Sequence, residues 1–319
     1  MVKEARTAIL LIYTGSPDSY RIWDVMKYLF RFLNDGRIIS VPAFFRFLIV
    51  SRHIFSFCSY LSSKRYKLLA DIYQGVFPLP FYCDTLKNRL RNELNTDVYI
   101  GMCFGRPLIE DCLQAIEKKK ISRIMVMPMY PHYSSSASGV PLERTIKGLS
   151  KFRVIPEIVS INSFFNEKGF ISAFVERIKE YDYQNFDEII FSYHSLPLAH
   201  VAKWDSSYPE ECIETTRLIC NELGIKTATT GFQSQMSEKW LGPATKSVIA
   251  EMIKNGKTRI LVVAPSFVSD CLETEIELNV ELKKFFLDSG GKELQLVKSL
   301  NDHPAWIDFI AQKYRNLMK

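Results

Sequence analysis

The stretch from Arg259 to Glu281, RILVVAPSFVSDCLETEIELNVE, sets carboxylates at Asp270, Glu273, Glu277 and Glu281, at steps of three, four and four. If Leu272 onward is helical, these acids form one stripe along one face. Like charges at i,i+4 cost about 0.2–0.5 kcal/mol per pair, so the stripe needs a compensating cation or must lie open to water. Acids are also favoured in a helix's first turn, and both readings stand on this segment alone. A second chemical group is His194, one of five histidines, in the loop HSLP just after the run EIIFSY. Neutral imidazole takes a proton near pH 7 and ligates divalent transition metals, although a lone loop histidine also serves as an ordinary hydrogen-bonded group. If both loops open on one cleft, His194 and Glu273 face each other across it.

Such placement requires strands that end at these loops. Ala8–Tyr13, Asp97–Phe104, Ile121–Met127, Val154–Ile158, Glu188–Tyr193, Thr227–Gly231 and Ile260–Ala264 read as strands. Between them, helices are expected after Asp18 or Ser19 as cap, over Pro107–Lys120, Phe165–Glu180, Pro209–Leu223 and Glu238–Lys254, and over His303–Met318 at the end. Strand and helix in alternation predict parallel sheets flanked by helices. AILLIYTGSP echoes EIIFSYHSLP, and SRIMVMPMYPHYSSS echoes TRILVVAPSFVSDC. The fold expected is α/β: two similar Rossmann-like lobes, 1–160 and 161–300, with a cleft between them and a C-terminal helix at 301–319 packing back. Ligands of open α/β sheets bind at the carboxyl ends of the strands, which is where both loops lie. The loop TGSP has neither a dinucleotide nor a Walker-type glycine pattern.

The 319 residues, 47% hydrophobic, suffice for two cores, and a net charge of +6 suits anionic small partners without calling for nucleic acid. Seven cysteines without a C-x-x-C pair are neither a disulfide framework nor a zinc ribbon, and none follows Cys271, so no iron-sulfur cluster is expected in the tail. MVKEART followed by AILLIY is too brief for a secretory signal, which predicts a cytoplasmic location. The most apolar segment, Ile38–Leu61, is interrupted by Arg46, Arg52 and His53 and is too short between charges to span a bilayer. Its phenylalanines and interleaved cations suit a pocket for a flat, apolar, acid-bearing ligand or peripheral contact with a membrane; an ordinary core helix pair is the alternative.

Several motifs together resemble the ferrochelatases over nearly the whole chain: SYHSLP around His194, YPEECIETTRLICNELG from Tyr208, FQSQMSEKWLGPATK from Phe232, APSFVSDCLETEIEL from Ala264 and LNDHP from Leu300. GSPDS, PLIEDC and MYPHYSSSASG match less tightly. The resemblance implies insertion of Fe2+ into a porphyrin, most readily protoporphyrin IX, with the metal as substrate and no permanently bound cofactor. It makes His194 and Glu273 the catalytic pair and adds Glu277 and Asp270 to a metal path. It places Tyr13, Thr14, Phe44, Phe45, Arg46, Tyr133, Ser134, Gln233, Ser234 and Trp240 on the porphyrin, with the 38–61 segment as an apolar lip. The chain departs from the family at Met102, Cys103 and Phe104, where M-R-Y is common, at Val76–Phe77–Pro78–Leu79 in place of G-S-P-L, and at Tyr13–Thr14–Gly15 in place of N-L-G. A chelatase for Co2+ or Ni2+ on a more carboxylated tetrapyrrole, or a porphyrin or haem carrier without turnover, are the alternatives. Such a chelatase calls for a more basic lip, and a carrier has no need of His194 opposite an acidic stripe.

Overall fold

Short apolar, β-branched runs form the strands of a computed structural model that describes residues 6–54, 57–226 and 228–318. Phe55 and Ser56 of the expected lip, Thr227 and Lys319 lie outside the described residues. Thr7–Tyr13 (β1), Asp97–Met102 (β2), Arg123–Pro128 (β3) and Glu157–Ser160 (β4) form a parallel sheet in the order β2-β1-β3-β4. Glu188–His194 (β5), Thr229–Gln233 (β6), Arg259–Val263 (β7) and Glu293–Leu296 (β8) form a second, ordered β6-β5-β7-β8. The sequence echoes are therefore equivalent strands, β1 with β5 and β3 with β7. Ala8–Ile12 have no exposed surface, as a parallel strand covered on both faces demands.

A third correspondence joins β2 and β6. Met102 N–H donates to Pro107 C=O and Phe232 N–H to Pro243 C=O, each at 2.8 Å, before the next helix begins. The helices are Ile22–Leu33 (α1), Ala43–Ile54 (α2), Phe57–Ile72 (α3), Pro78–Leu94 (α4), Ile109–Lys118 (α5), Gly139–Leu149 (α6), Lys168–Lys179 (α7), Leu198–Lys203 (α8), Tyr208–Leu223 (α9), Thr245–Lys254 (α10), Lys283–Asp288 (α11) and Pro304–Leu317 (α12).

Several boundaries differ from the sequence expectation for local reasons. Arg21, not Asp18 or Ser19, precedes α1, while Ser19 Oγ donates to the Asp24 carboxylate at 2.7 Å. The helix expected from Glu238 begins at Thr245, because Pro243 supplies no N–H and disfavours helical geometry in the residue before it. The strand expected at Val154–Ile158 starts at Glu157, one residue after Pro156. The helix expected from Leu272 is a π-helix over Glu273–Leu282 that passes directly into α11.

The chain divides into two compact units, residues 1–129, 135–162 and 310–319, and residues 130–134 and 163–309. In the second, Trp306 and Phe309 stack at 5.5 Å and both rings lie within 6 Å or so of Phe164. In the first, Tyr314 Oη hydrogen-bonds with the Thr7 hydroxyl at 2.5 Å and the Thr96 hydroxyl at 2.9 Å. Helix α2 is not a core helix. Phe44, Phe45, Phe47, Leu48 and Ile49 are exposed, the first two by 69% and 59%, while Val50 and Ile54 are its buried residues. Among the described residues no helix is long and apolar enough to cross a membrane.

Candidate active site

The carboxyl ends of β5, β6 and β7 bring the central candidates together within the second unit. His194 is the last residue of β5 and pairs in register with Gln233 of β6. Its ring lies edge-on to Phe267, with centroids 6.1 Å apart, and its buried Nδ1 has no hydrogen-bond partner among the described residues. Burial pushes the imidazole's pKa below its ordinary value, and the nearby Glu273 charge pulls it partly back. The ring is thus neutral near pH 7, and the acid beside it stabilises the cation formed when it takes a proton.

On β6, Gln233 is buried and oriented by Ser192, whose hydroxyl donates to Oε1 at 2.9 Å and also bonds with Thr245 Oγ1 at 2.8 Å. Gln233 Nε2 has no partner among the described residues. Ser234 has a left-handed backbone, φ +60°, which lets its N–H and hydroxyl converge on Glu277, at 2.5 and 2.6 Å to the two carboxylate oxygens. Trp240 is half-buried on the loop that follows. It bridges to Pro197 while Leu198 N–H donates to Lys239 C=O and Leu241 N–H to Leu196 C=O, so the loop is laced to HSLP.

After β7 the loop enters the π-helix. Thr274 Oγ1 accepts Cys271 N–H at 2.9 Å and so ties the loop to the first turn. The π-helix closes i→i+5 bonds, a geometry frequent at functional sites. Glu273 and Glu277 are half-buried, whereas Asp270 is fully buried. The Asp270 carboxylate accepts Ser299 N–H at 2.9 Å and Asn301 Nδ2–H at 2.7 Å, and so anchors the LNDHP loop. The expected four-acid stripe is thus broken at its first member. Burial, followed by the Glu273 charge, holds the Cys271 thiol well above its ordinary pKa, so it presents no thiolate.

The segment 130–134 also belongs to this unit. Tyr133 N–H donates to Glu211 Oε2 at 2.9 Å, and Ser134 is buried. His132 Nε2 bonds with Thr215 Oγ1 at 2.9 Å. Thr215, in turn, donates to Phe165 C=O, so the imidazole supplies the proton in the bond between them.

In the first unit, Tyr13 ends β1 and Thr14 follows it, and their carbonyls accept Cys103 N–H at 2.8 Å and Phe104 N–H at 2.9 Å. Phe44 and Phe45 stand exposed with rings 5.7 Å apart, whereas Arg46 bonds the carbonyls of Asn34 and Val41 at 2.9 Å and of Ile39 at 3.4 Å. Arg46 therefore staples the turn before α2. Cys103 and Phe104 are both buried. The Arg144 guanidinium sits 6.0 Å over the Phe104 ring, bonds Cys103 C=O and forks onto Glu110. Arg144, like His132, Glu211, Tyr208 and Ser266, escaped the sequence reading. YPEEC and APSF were in view there as motifs, but their side-chain partners are distant in sequence.

Among the described residues no group of three or more His, Cys, Asp or Glu side chains is arranged to hold a metal ion. The sequence model of the family Ferrochelatase matches residues 6–317. Ferrochelatase of Legionella pneumophila (strain Paris) is 33% identical over 96% of this chain and 97% of its own length. Coproporphyrin III ferrochelatase of Enterococcus faecalis is 35% identical over 93% of this chain and 95% of its own. The solved structure of SirB from Bacillus subtilis with Fe3+ superposes with a TM-score of 0.59 at 14% identity, covering 98% of this chain and 95% of that one, a likeness of fold.

Proposed function

Because this chain belongs to the ferrochelatase family, whose members insert Fe2+ into a porphyrin to make haem, we propose that His194 and Glu273 carry that reaction here and that protoporphyrin IX is the substrate. The observation that carries the reading is a neutral, half-buried imidazole whose buried Nδ1 has no partner among the described residues, beside a half-buried carboxylate. Metallation replaces two pyrrole N–H protons with one Fe2+, so the site must accept two protons for each haem formed. His194 accepts one and becomes an imidazolium that Glu273 stabilises; Glu273 accepts or passes on the other. Carboxylates are hard, exchangeable ligands for Fe2+, suited to handing a metal on, and Glu277 is the next acid along the π-helix. Asp270 shapes the loop that carries Glu273.

Trp240 offers a stacking face to the macrocycle, and the exposed phenylalanines of α2 offer apolar surface. That surface favours protoporphyrin over a porphyrin with four propionates, which would demand more cations. The same face suits peripheral contact with a membrane on the cytoplasmic side. Fe2+ and porphyrin are both substrates, and the reading requires no resident prosthetic group.

The test is an anaerobic metallation assay with Fe2+ and protoporphyrin IX or coproporphyrin III, following porphyrin absorbance. His194→Ala is expected to lower kcat at least a hundredfold while porphyrin still binds, and Glu273→Gln by a smaller factor, within the range of one lost acid–base group. Turnover unaltered in His194→Ala would sink the assignment. A higher kcat/KM for coproporphyrin III would replace the substrate but leave the pair standing.

A further inference from the structure

The ladder between β5 and β7 stops at the pair Phe191–Val263, where β7 ends. The last residue of β5 therefore has no strand beside it on that side. Successive residues of a strand direct their N–H and C=O to opposite neighbours. Ser195 N–H reaches β6, donating to Gln233 C=O at 2.9 Å, so His194 turns both backbone groups toward the side that β7 has vacated. Buried backbone groups cannot be left unpaired without cost, and two side chains from separate elements take the missing strand's place.

His194 N–H donates to Ser266 Oγ in a long bond of 3.4 Å. Tyr208 Oη, from the first turn of α9, donates to His194 C=O at 2.7 Å. Ser266 also acts on the Tyr208 phenol, offsetting part of the upward push that burial gives its pKa, so the two side chains are neighbours. Both backbone groups of His194 are thus held by side chains, one from the start of α9 and one from the connection after β7. Tyr208 is 4% exposed and its ring meets the edge of the His132 ring at 6.1 Å, so the phenol has little room to leave. Ser266 lies on the same connection that carries Glu273, seven residues further on, so its bond to the His194 N–H also ties the backbone of the base to the chain that carries its acid.

We propose that Tyr208 and Ser266 are positioning residues for His194, fixing its main chain and with it the place at which the imidazole meets the reacting nitrogen. The inference rests on the reading of His194 as proton acceptor. Neither residue touches substrate in this role. Both act only through the geometry they impose, and a displacement of about an ångström at a reacting group is enough to cost on the order of a hundredfold in rate.

The test uses the full-length protein in the anaerobic Fe2+ and porphyrin assay, with melting temperature recorded for every variant. Tyr208→Phe and Ser266→Ala should each lower kcat roughly ten- to a hundredfold while KM for porphyrin and for Fe2+ stays within about twofold. The double variant should lose less than the product of the two single losses, because both bonds hold the same residue. Ser266→Thr, which keeps the hydroxyl, should recover most of the loss. If Tyr208→Phe does not fold, Ser266→Ala against Ser266→Thr decides the matter. Wild-type kcat in folded Ser266→Ala, or losses that multiply in the double variant, would overturn the positioning role while an inactive His194→Ala keeps the base assignment. Full turnover in His194→Ala would overturn the base assignment and the positioning role with it.

Discussion

Asp270 shares its spacing with Glu273 and Glu277, yet both of its carboxylate oxygens are held by the 299–301 loop and it is closed to solvent. The bonding is reciprocal, since Asp270 N–H donates to Asn301 Oδ1 at 2.8 Å. Asp270→Ala would strand the Ser299 N–H and the Asn301 amide, at about 1–3 kcal/mol for each buried donor left unsatisfied. The expected result is a drop of several degrees in melting temperature with KM for Fe2+ unchanged in the folded protein, measured by thermal unfolding beside steady-state kinetics. A raised KM at unchanged melting temperature would instead put Asp270 on the iron path. Sequence spacing could group these three acids, because they recur at steps that share a helix face. It could not separate them, because the partner that removes Asp270 from the group lies about thirty residues away at Asn301.

Gly101 and Gly231 occupy equivalent points of β2 and β6, and at each the following helix crosses close to the strand. A Cβ on Gly231 would meet Thr245 Cα at 2.9 Å, and one on Gly101 would meet Ile109 Cα at 3.3 Å. Backbone cannot swing aside as a side chain can, so Gly231→Ala should destabilise by about 1–3 kcal/mol and Gly101→Ala by less. Denaturant unfolding of the two variants checks the order, and equal losses would contradict it. Because Gly231 is two residues before Gln233, the first variant should also reduce turnover. This third echo between the halves was harder to see than the others. From Gly101 to Pro107 the chain advances six residues, and from Gly231 to Pro243 twelve, the excess being the loop with Ser234 and Trp240. The buried strands β1, β3, β5 and β7 were legible because apolar content alone marks them. The π-helix was not, because the residues that form it are ordinary α-helix formers, and the Ser234 N–H that holds Glu277 comes from more than forty residues earlier in the chain.

At the scale of the whole molecule, three histidines that resist protonation, His132, His194 and His303, all fall in the second unit. Burial lowers His132 from its ordinary 6.5 to about 3, and burial with the Arg177 charge lowers His303. Between the folded and unfolded values the unfolded chain binds the extra proton, so stability rises with pH and is lost as pH falls below about 6.5. For His132 alone the slope approaches 1.4 kcal/mol per pH unit over the window from about 6.5 to about 3. Glu211, whose carboxyl burial holds above its ordinary value, works in the opposite sense and flattens part of that slope. His132→Gln removes the titrating group while its amide can still donate to Thr215. Urea unfolding at pH 7, 6, 5.5 and 5 should therefore give the wild type a steeper decline than the variant, with the two closest at pH 7. Parallel curves would mean that His132 gains its proton without disturbing the ring packing around Tyr193 and Tyr208. Since Tyr208 holds the His194 carbonyl, the same acid step is expected to loosen the catalytic strand end before the first unit unfolds, so turnover should fall ahead of far-UV circular dichroism as pH is lowered.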